Sequence, residues 1–138
     1  MVADATFFGR GYGILVFRCP NTKCNIYLKE ISTEKISDYL RAKLFLEQKG
    51  FKLEAVVIDG KRGLFKAFGD TPVQMCHFHQ LAITRRYLTS RPKLESAIEL
   101  RAIALTLTVS NEKSFTSLLN IWYEKWEVFL KEKTYSLD

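Results

Sequence analysis

Apolar and polar positions along this chain change period about a third of the way in, and the change divides the sequence. Val2 to Phe8, Ile14 to Cys19 and Ile26 to Ile31 read as three strands, separated by turn signals at Gly9-Arg10-Gly11-Tyr12-Gly13 and Pro20-Asn21-Thr22. The Gly-x-Gly-x-Gly run lies between short strands instead of opening a helix, so it reads as a hairpin turn rather than a phosphate loop. A helix follows. Ser32 or Thr33 can cap it, Ile36, Leu40 and Leu44 recur at i+4 with Tyr39 and Leu46 flanking that face, and Gly50 is a natural stop. Leu53 to Ile58 then reads as a buried strand, Leu64 to Phe68 as a short helix, Pro72 to Met75 as another strand and Gln80 to Leu88 as a helix. The predicted order is β-β-β-α-β-α-β-α.

After Pro92 the texture becomes helical. Leu94 to Leu107 is rich in Ala, Leu and Ile. Glu112 to Lys133 sets Phe115, Leu118, Leu119, Trp122, Trp126, Phe129 and Leu130 at helical spacing, which predicts a packing face. The expected organisation is a sheet domain over residues 1–92 and a helical subdomain over residues 93–138, without internal repeats.

With 138 residues, 47% apolar and 13% aromatic, the chain has enough apolar material for a core. A net charge of +6 favours a polyanionic partner, nucleic acid being the commonest. No apolar run reaches the length of a membrane span, and the start at Met1-Val2-Ala3-Asp4 shows no secretory leader. Three cysteines without such a leader predict a reducing, intracellular setting. A cytoplasmic, nucleoid-associated protein is expected.

The strongest chemical feature is Val56-Val57-Ile58-Asp59-Gly60, an apolar strand ending in a carboxylate and a glycine. Sites in open α/β sheets collect outside the carboxyl ends of strands. The plainer alternative is that Asp59 caps the following helix. Asp4 is a second carboxylate, set among apolar residues of the first strand and sharing a face with Val2, Thr6 and Phe8. Its plainer alternative is an exposed edge-strand aspartate. Two such carboxylates suit divalent cations, Mg²⁺ or Mn²⁺, in phosphodiester chemistry.

Cys76-x-x-His79 is a compact pair of soft ligands, and Cys19 and Cys24 are two more in number. Nothing in the sequence brings the two segments together, so a structural Zn²⁺ is not expected. Lys61, Arg62 and Lys66 follow Asp59, and Arg85, Arg86, Arg91 and Lys93 follow the histidines. Of these, Lys61, Arg62, Arg85 and Arg86 are the expected DNA-phosphate contacts, against the default of a solvated helix face.

The ordered set resembles a DDE transposase: an early Asp4, a β-meander, Val57-Ile58-Asp59-Gly60, then Gly63-Leu64-x-x-Ala67. Cys76-x-x-His79 after the next strand narrows the resemblance to insertion-sequence transposases related to the eukaryotic Mutator elements. The resemblance covers most of residues 2–90. It implies a ribonuclease H-like α/β fold, a mixed sheet with flanking helices, and residues 93–138 as an all-helical insertion. It makes Asp4 and Asp59 the first and second catalytic acids and metal ligands, and Cys76 and His79 the family motif near the site. The family's third acid is a glutamate beyond the insertion. Glu95, Glu99, Glu112, Glu124, Glu127 and Glu132 all fall within helical runs, so none is assigned. The DNA-binding module expected ahead of the first Asp is also missing. The resemblance thus implies the middle of a transposase cut at both ends, with DNA strand cleavage and strand transfer severely impaired. Double-stranded DNA, a second copy or full-length transposase are the implied partners. The alternative is a non-catalytic DNA-binding or assembly module.

Overall fold

A computed structural model describes residues 1–132, so the predicted helix end at Lys133 and the terminal Ser136-Leu137-Asp138 lie outside the described residues. The chain divides into two compact units, Met1–Gln80 and a second beginning at Leu81. The first contains a five-stranded mixed sheet with helices beside it. In chain order it has β1 (Val2–Phe7), β2 (Gly13–Cys19), β3 (Cys24–Ile31), α1 (Ile36–Gln48), β4 (Val56–Ile58), α2 (Leu64–Ala67) and β5 (Val73–Met75). The helix α3 (His77–Leu88) spans the boundary between the units.

The sheet order is β3-β2-β1-β4-β5. β1, β2 and β3 form the antiparallel meander, while β4 runs parallel to both β1 and β5. The carboxyl ends of β1, β3, β4 and β5 therefore share one edge of the sheet. The glycine-rich turn between β1 and β2 is a hairpin turn closed by Phe8 N–H donating to Tyr12 O at 3.0 Å. Gly9 and Gly11 there have φ of 128° and 76°, backbone that side chains other than glycine's rarely adopt.

One face of the sheet makes the core. The pairing register puts Ala3, Ala5, Leu15 and Phe17 on that face, together with Val56 and Ile58 of β4. They pack with Tyr39, Ala42 and Leu46 of α1 and with Leu64 and Phe68 around α2. Phe17 sits between Tyr27 and Tyr39, with ring centroids 5.9 and 6.1 Å away. Lys29 on β3 pairs with the buried Asp38 of α1 at 2.6 Å, which ties helix to sheet and compensates burial of the carboxylate.

Helix α1 differs from the sequence expectation in two ways. Its N-cap is Lys35, without a side-chain capping bond, and not Ser32 or Thr33. Its buried face is Tyr39-Ala42-Leu46, whereas Leu40 and Leu44 are exposed. Both stripes have helical spacing. The one containing a small alanine is the one that lies against the sheet. β4 is also shorter than predicted, because Leu53 is buried ahead of the strand and outside its ladder.

The second unit holds α4 (Glu95–Leu105) and α5 (Glu112–Lys131), which pack on each other. Asn111 caps α5 by accepting the Ser114 N–H at 2.9 Å. The aromatic stripe of α5 only partly acts as the expected packing face. Trp122 donates to Ser96 O and Trp126 to Glu99 Oε2, each at 2.8 Å, while Leu118, Phe129 and Leu130 are exposed. None of the described helices is long and apolar enough to cross a membrane.

Candidate functional site

The parallel register sets the geometry of the site. Val2 pairs with Val57, and Val57 with Gln74. Extended two residues beyond these pairs, past the last residues of β4 and β5, the same register would set Asp4, Asp59 and Cys76 level with one another. The Cys76 N–H donates to Ile58 O at 2.6 Å, so the β4–β5 pairing continues to the end of this row. Neighbouring strands lie about 4.8 Å apart. Asp4 is half-buried on the face of β1 opposite Ala3, and Asp59 is half-buried directly after the carboxyl end of the neighbouring β4.

Asp59 does not cap α2, whose N-cap is Gly63 with no side-chain capping bond. Its Oδ1 instead accepts the Lys61 N–H at 3.1 Å, which fixes the turn leaving β4. Gly60 enables that turn with φ of 90°, and a Cβ there would meet Met75 Cε at 2.7 Å.

One residue that the sequence did not single out, Glu34, lies beside this turn. The chain leaving β3 brings Glu34 beside Tyr39. Tyr39 Oη donates to Glu34 Oε1 at 2.6 Å, and Lys61 Nζ donates to Glu34 Oε2 at 3.1 Å. Lys61 is therefore held twice, by Asp59 through its backbone and by Glu34 through its ammonium. Burial raises the Tyr39 hydroxyl far above the ordinary phenol value, and its bond to Glu34 and the charges of Glu34, Asp59 and Asp4 add to this. One buried phenol thus senses all three carboxylates. The only hint in the sequence is an acidic residue between strand and helix, which is commonplace.

This network has a testable consequence. Tyr39→Phe should cost about 1.5 kcal/mol near neutral pH, through the lost bond to a charged acceptor. Folded Tyr39 keeps a proton that the unfolded chain releases above a pH of about 10, so its contribution is whole below that pH and declines above it. The stability gap between parent and variant, followed by urea unfolding, should narrow as pH rises past about 10. A gap that widened there would contradict the raised value.

Around the motif, Gln74 Nε2 lies 2.7 Å from His77 Nε2. His79 stacks edge-on against Phe78, and its Nδ1 is buried without a hydrogen-bond partner. His79 lies in the first turn of α3, which starts earlier than the predicted Gln80. Cys19 and Cys24 lie at the opposite, amino edge of the sheet on β2 and β3, far along the sheet from Cys76 beyond β5. Arg62 is exposed beside Lys61, and Arg85 and Arg86 are exposed in the last turn of α3, in the second unit.

Two half-buried carboxylates, one on β1 and one directly after β4, suit a hydrated Mg²⁺ or Mn²⁺ ion, which needs only one or two carboxylates plus water. Among the described residues no three His, Cys, Asp or Glu side chains are grouped to hold a metal ion. Glu34 is turned to Tyr39 and Lys61. Comparison with known protein families, with curated proteins and with solved structures returns no match.

Proposed function

We propose that this chain carries a DDE transposase core of the insertion-sequence type related to Mutator elements, ribonuclease H-like in its sheet domain. The observation that supports this reading is the parallel pairing of Val2 with Val57, a register that, carried two residues on, sets Asp4 level with Asp59. Asp59 follows the carboxyl end of β4, where ligands of α/β sheets collect, and Asp4, 55 residues earlier in the sequence, lies on the neighbouring β1. Cys76 would continue the row, and the order β-β-β-α-β-α-β is the one the resemblance implies.

In this reading Asp4 and Asp59 would hold Mg²⁺ or Mn²⁺, which would polarise a phosphoryl oxygen and activate water or a 3′-hydroxyl. The Lys61 N–H orients the Asp59 carboxylate. Glu34, aligned by Tyr39, restrains the Lys61 ammonium beside that turn. Arg62, Arg85 and Arg86 meet DNA phosphates, which set affinity and register rather than sequence preference.

A second reading, a non-catalytic DNA-binding or assembly module that pairs with full-length transposase or another copy, draws on the two-carboxylate ligand set. One experiment addresses both readings. The folded chain, incubated with supercoiled plasmid and Mn²⁺, should bind DNA with an affinity that falls steeply with salt and should leave the plasmid uncut. Lack of DNA binding at low salt would reject both readings. Nicking that vanishes in Asp59→Asn would mean the catalytic ligand set is complete in this chain.

A further inference from the structure

Cys19 and Cys24 are the last opposed pair of the β2–β3 hairpin, facing each other across the turn Pro20-Asn21-Thr22-Lys23. Directly opposed residues of antiparallel strands have Cα atoms about 4.5 or 5.5 Å apart. Both spacings fall inside the range of about 4.4–6.8 Å that disulfides span. Cys24 Sγ donates to Thr22 O at 3.3 Å, within the turn that joins the two cysteines. Cys24 is exposed and Cys19 half-buried, so a small reagent can reach the pair.

We propose that Cys19 and Cys24 are a redox-active thiol pair that exchanges with small-molecule disulfides to close a cross-strand disulfide at the amino edge of the sheet. The Cys19 thiolate attacks one sulfur of the small disulfide. A Cys19 mixed disulfide forms, and the first small thiolate leaves and takes up the proton that Cys19 lost. The Cys24 sulfur then attacks Cys19 Sγ, the mixed disulfide breaks, and the second small thiol leaves with the Cys24 proton. The two cysteines are oxidised by two electrons and the reagent is reduced to two thiols. Hydrogen bonding from Thr22 holds the Cys19 thiol below its ordinary pKa, which suits it to the first attack. Cys24, its cross-strand neighbour, is the resolving thiol. Cys76 lies beyond β5 at the carboxyl edge and takes no part. The pair is remote from Asp4 and Asp59, so this inference stands independently of the proposed function.

The test treats the full folded chain with oxidised glutathione, followed by intact mass and peptide mapping. The expected product has lost two hydrogens, contains a peptide linking Cys19 to Cys24, and keeps Cys76 outside that bond. Cys24→Ser should stop at a stable glutathione adduct on Cys19. Stable glutathione on both cysteines of the parent chain, a bond to Cys76, a bond between two chains, or no reaction would each overturn the proposal. Because the parent chain alone gives the decisive peptide map, poor folding of the variant would not blunt the test.

Discussion

Phe17→Ala should destabilise the sheet unit by about 3–5 kcal/mol, the cost typical of truncating a core aromatic. Phe17 has no exposed surface and lies between Tyr27 and Tyr39, so its removal leaves a cavity bounded by β3 and α1. Collapse of that cavity is hindered on both sides. Tyr39 is held by its bond to Glu34, and the Lys29–Asp38 pair fixes the start of α1 against β3. With net stabilities of about 5–15 kcal/mol for ordinary domains, this one change removes a large share. Amide hydrogen exchange in β2 and β3 is the suitable probe, because both tryptophans, Trp122 and Trp126, lie in the second unit. Protection factors there should fall by about two to four orders of magnitude. Unchanged protection would mean that Phe17 does not organise this core.

Gly60→Val should be the second most damaging change, at about 2–3 kcal/mol, and it should also disturb the site. At φ of 90° a β-branched residue is strained, and its Cβ would press on Met75 Cε. The end of the Met75 side chain can move aside, so the backbone term is the larger part. Relief of that strain by a change in φ would displace Asp59 and Lys61 together, since the bond between them spans Gly60. Gly60→Asn should be tolerated better, because asparagine accepts positive φ more readily. Urea unfolding of the two variants checks this order. A valine variant as stable as the asparagine variant would contradict it.

The sequence disclosed those features that depend on local pattern. The three-strand meander, the apolar run into Asp59-Gly60 and the helical second half all follow from periodicity and turn residues. Asp59 stood out because it closes an unbroken apolar strand at the carboxyl end, where sites in open α/β sheets collect. The relation of Asp4 to Asp59 is different. It depends on β4 entering between β1 and β5, a long-range pairing that no short stretch of sequence encodes.

Two features escaped the sequence for physical reasons. On α1, the Ile36-Leu40-Leu44 stripe looked like the core face because leucine is more apolar than tyrosine or alanine. The sheet needed a close approach at Ala42 and an aromatic body at Tyr39, whose hydroxyl reaches a carboxylate partner. Glu34 escaped because its importance comes wholly from what meets it, Tyr39 from the helix and Lys61 from the turn after β4. On α5, the aromatic stripe was legible as a pattern, but how much of it would be covered was not, since no residue of that helix is buried.

The central claim is that Asp4 and Asp59 together form a site for a divalent cation, and paramagnetic Mn²⁺ tests it residue by residue. Amide resonances of isotope-labelled chain should broaden first around Asp4, Asp59 and Cys76 as Mn²⁺ is added. In Asp59→Asn, which can keep the bond from the Lys61 N–H, that broadening should need at least about tenfold more Mn²⁺, since losing even an outer-shell group typically weakens metal binding 10–100-fold. Broadening that spared Asp4 and Asp59, or that was the same in the variant, would contradict the account.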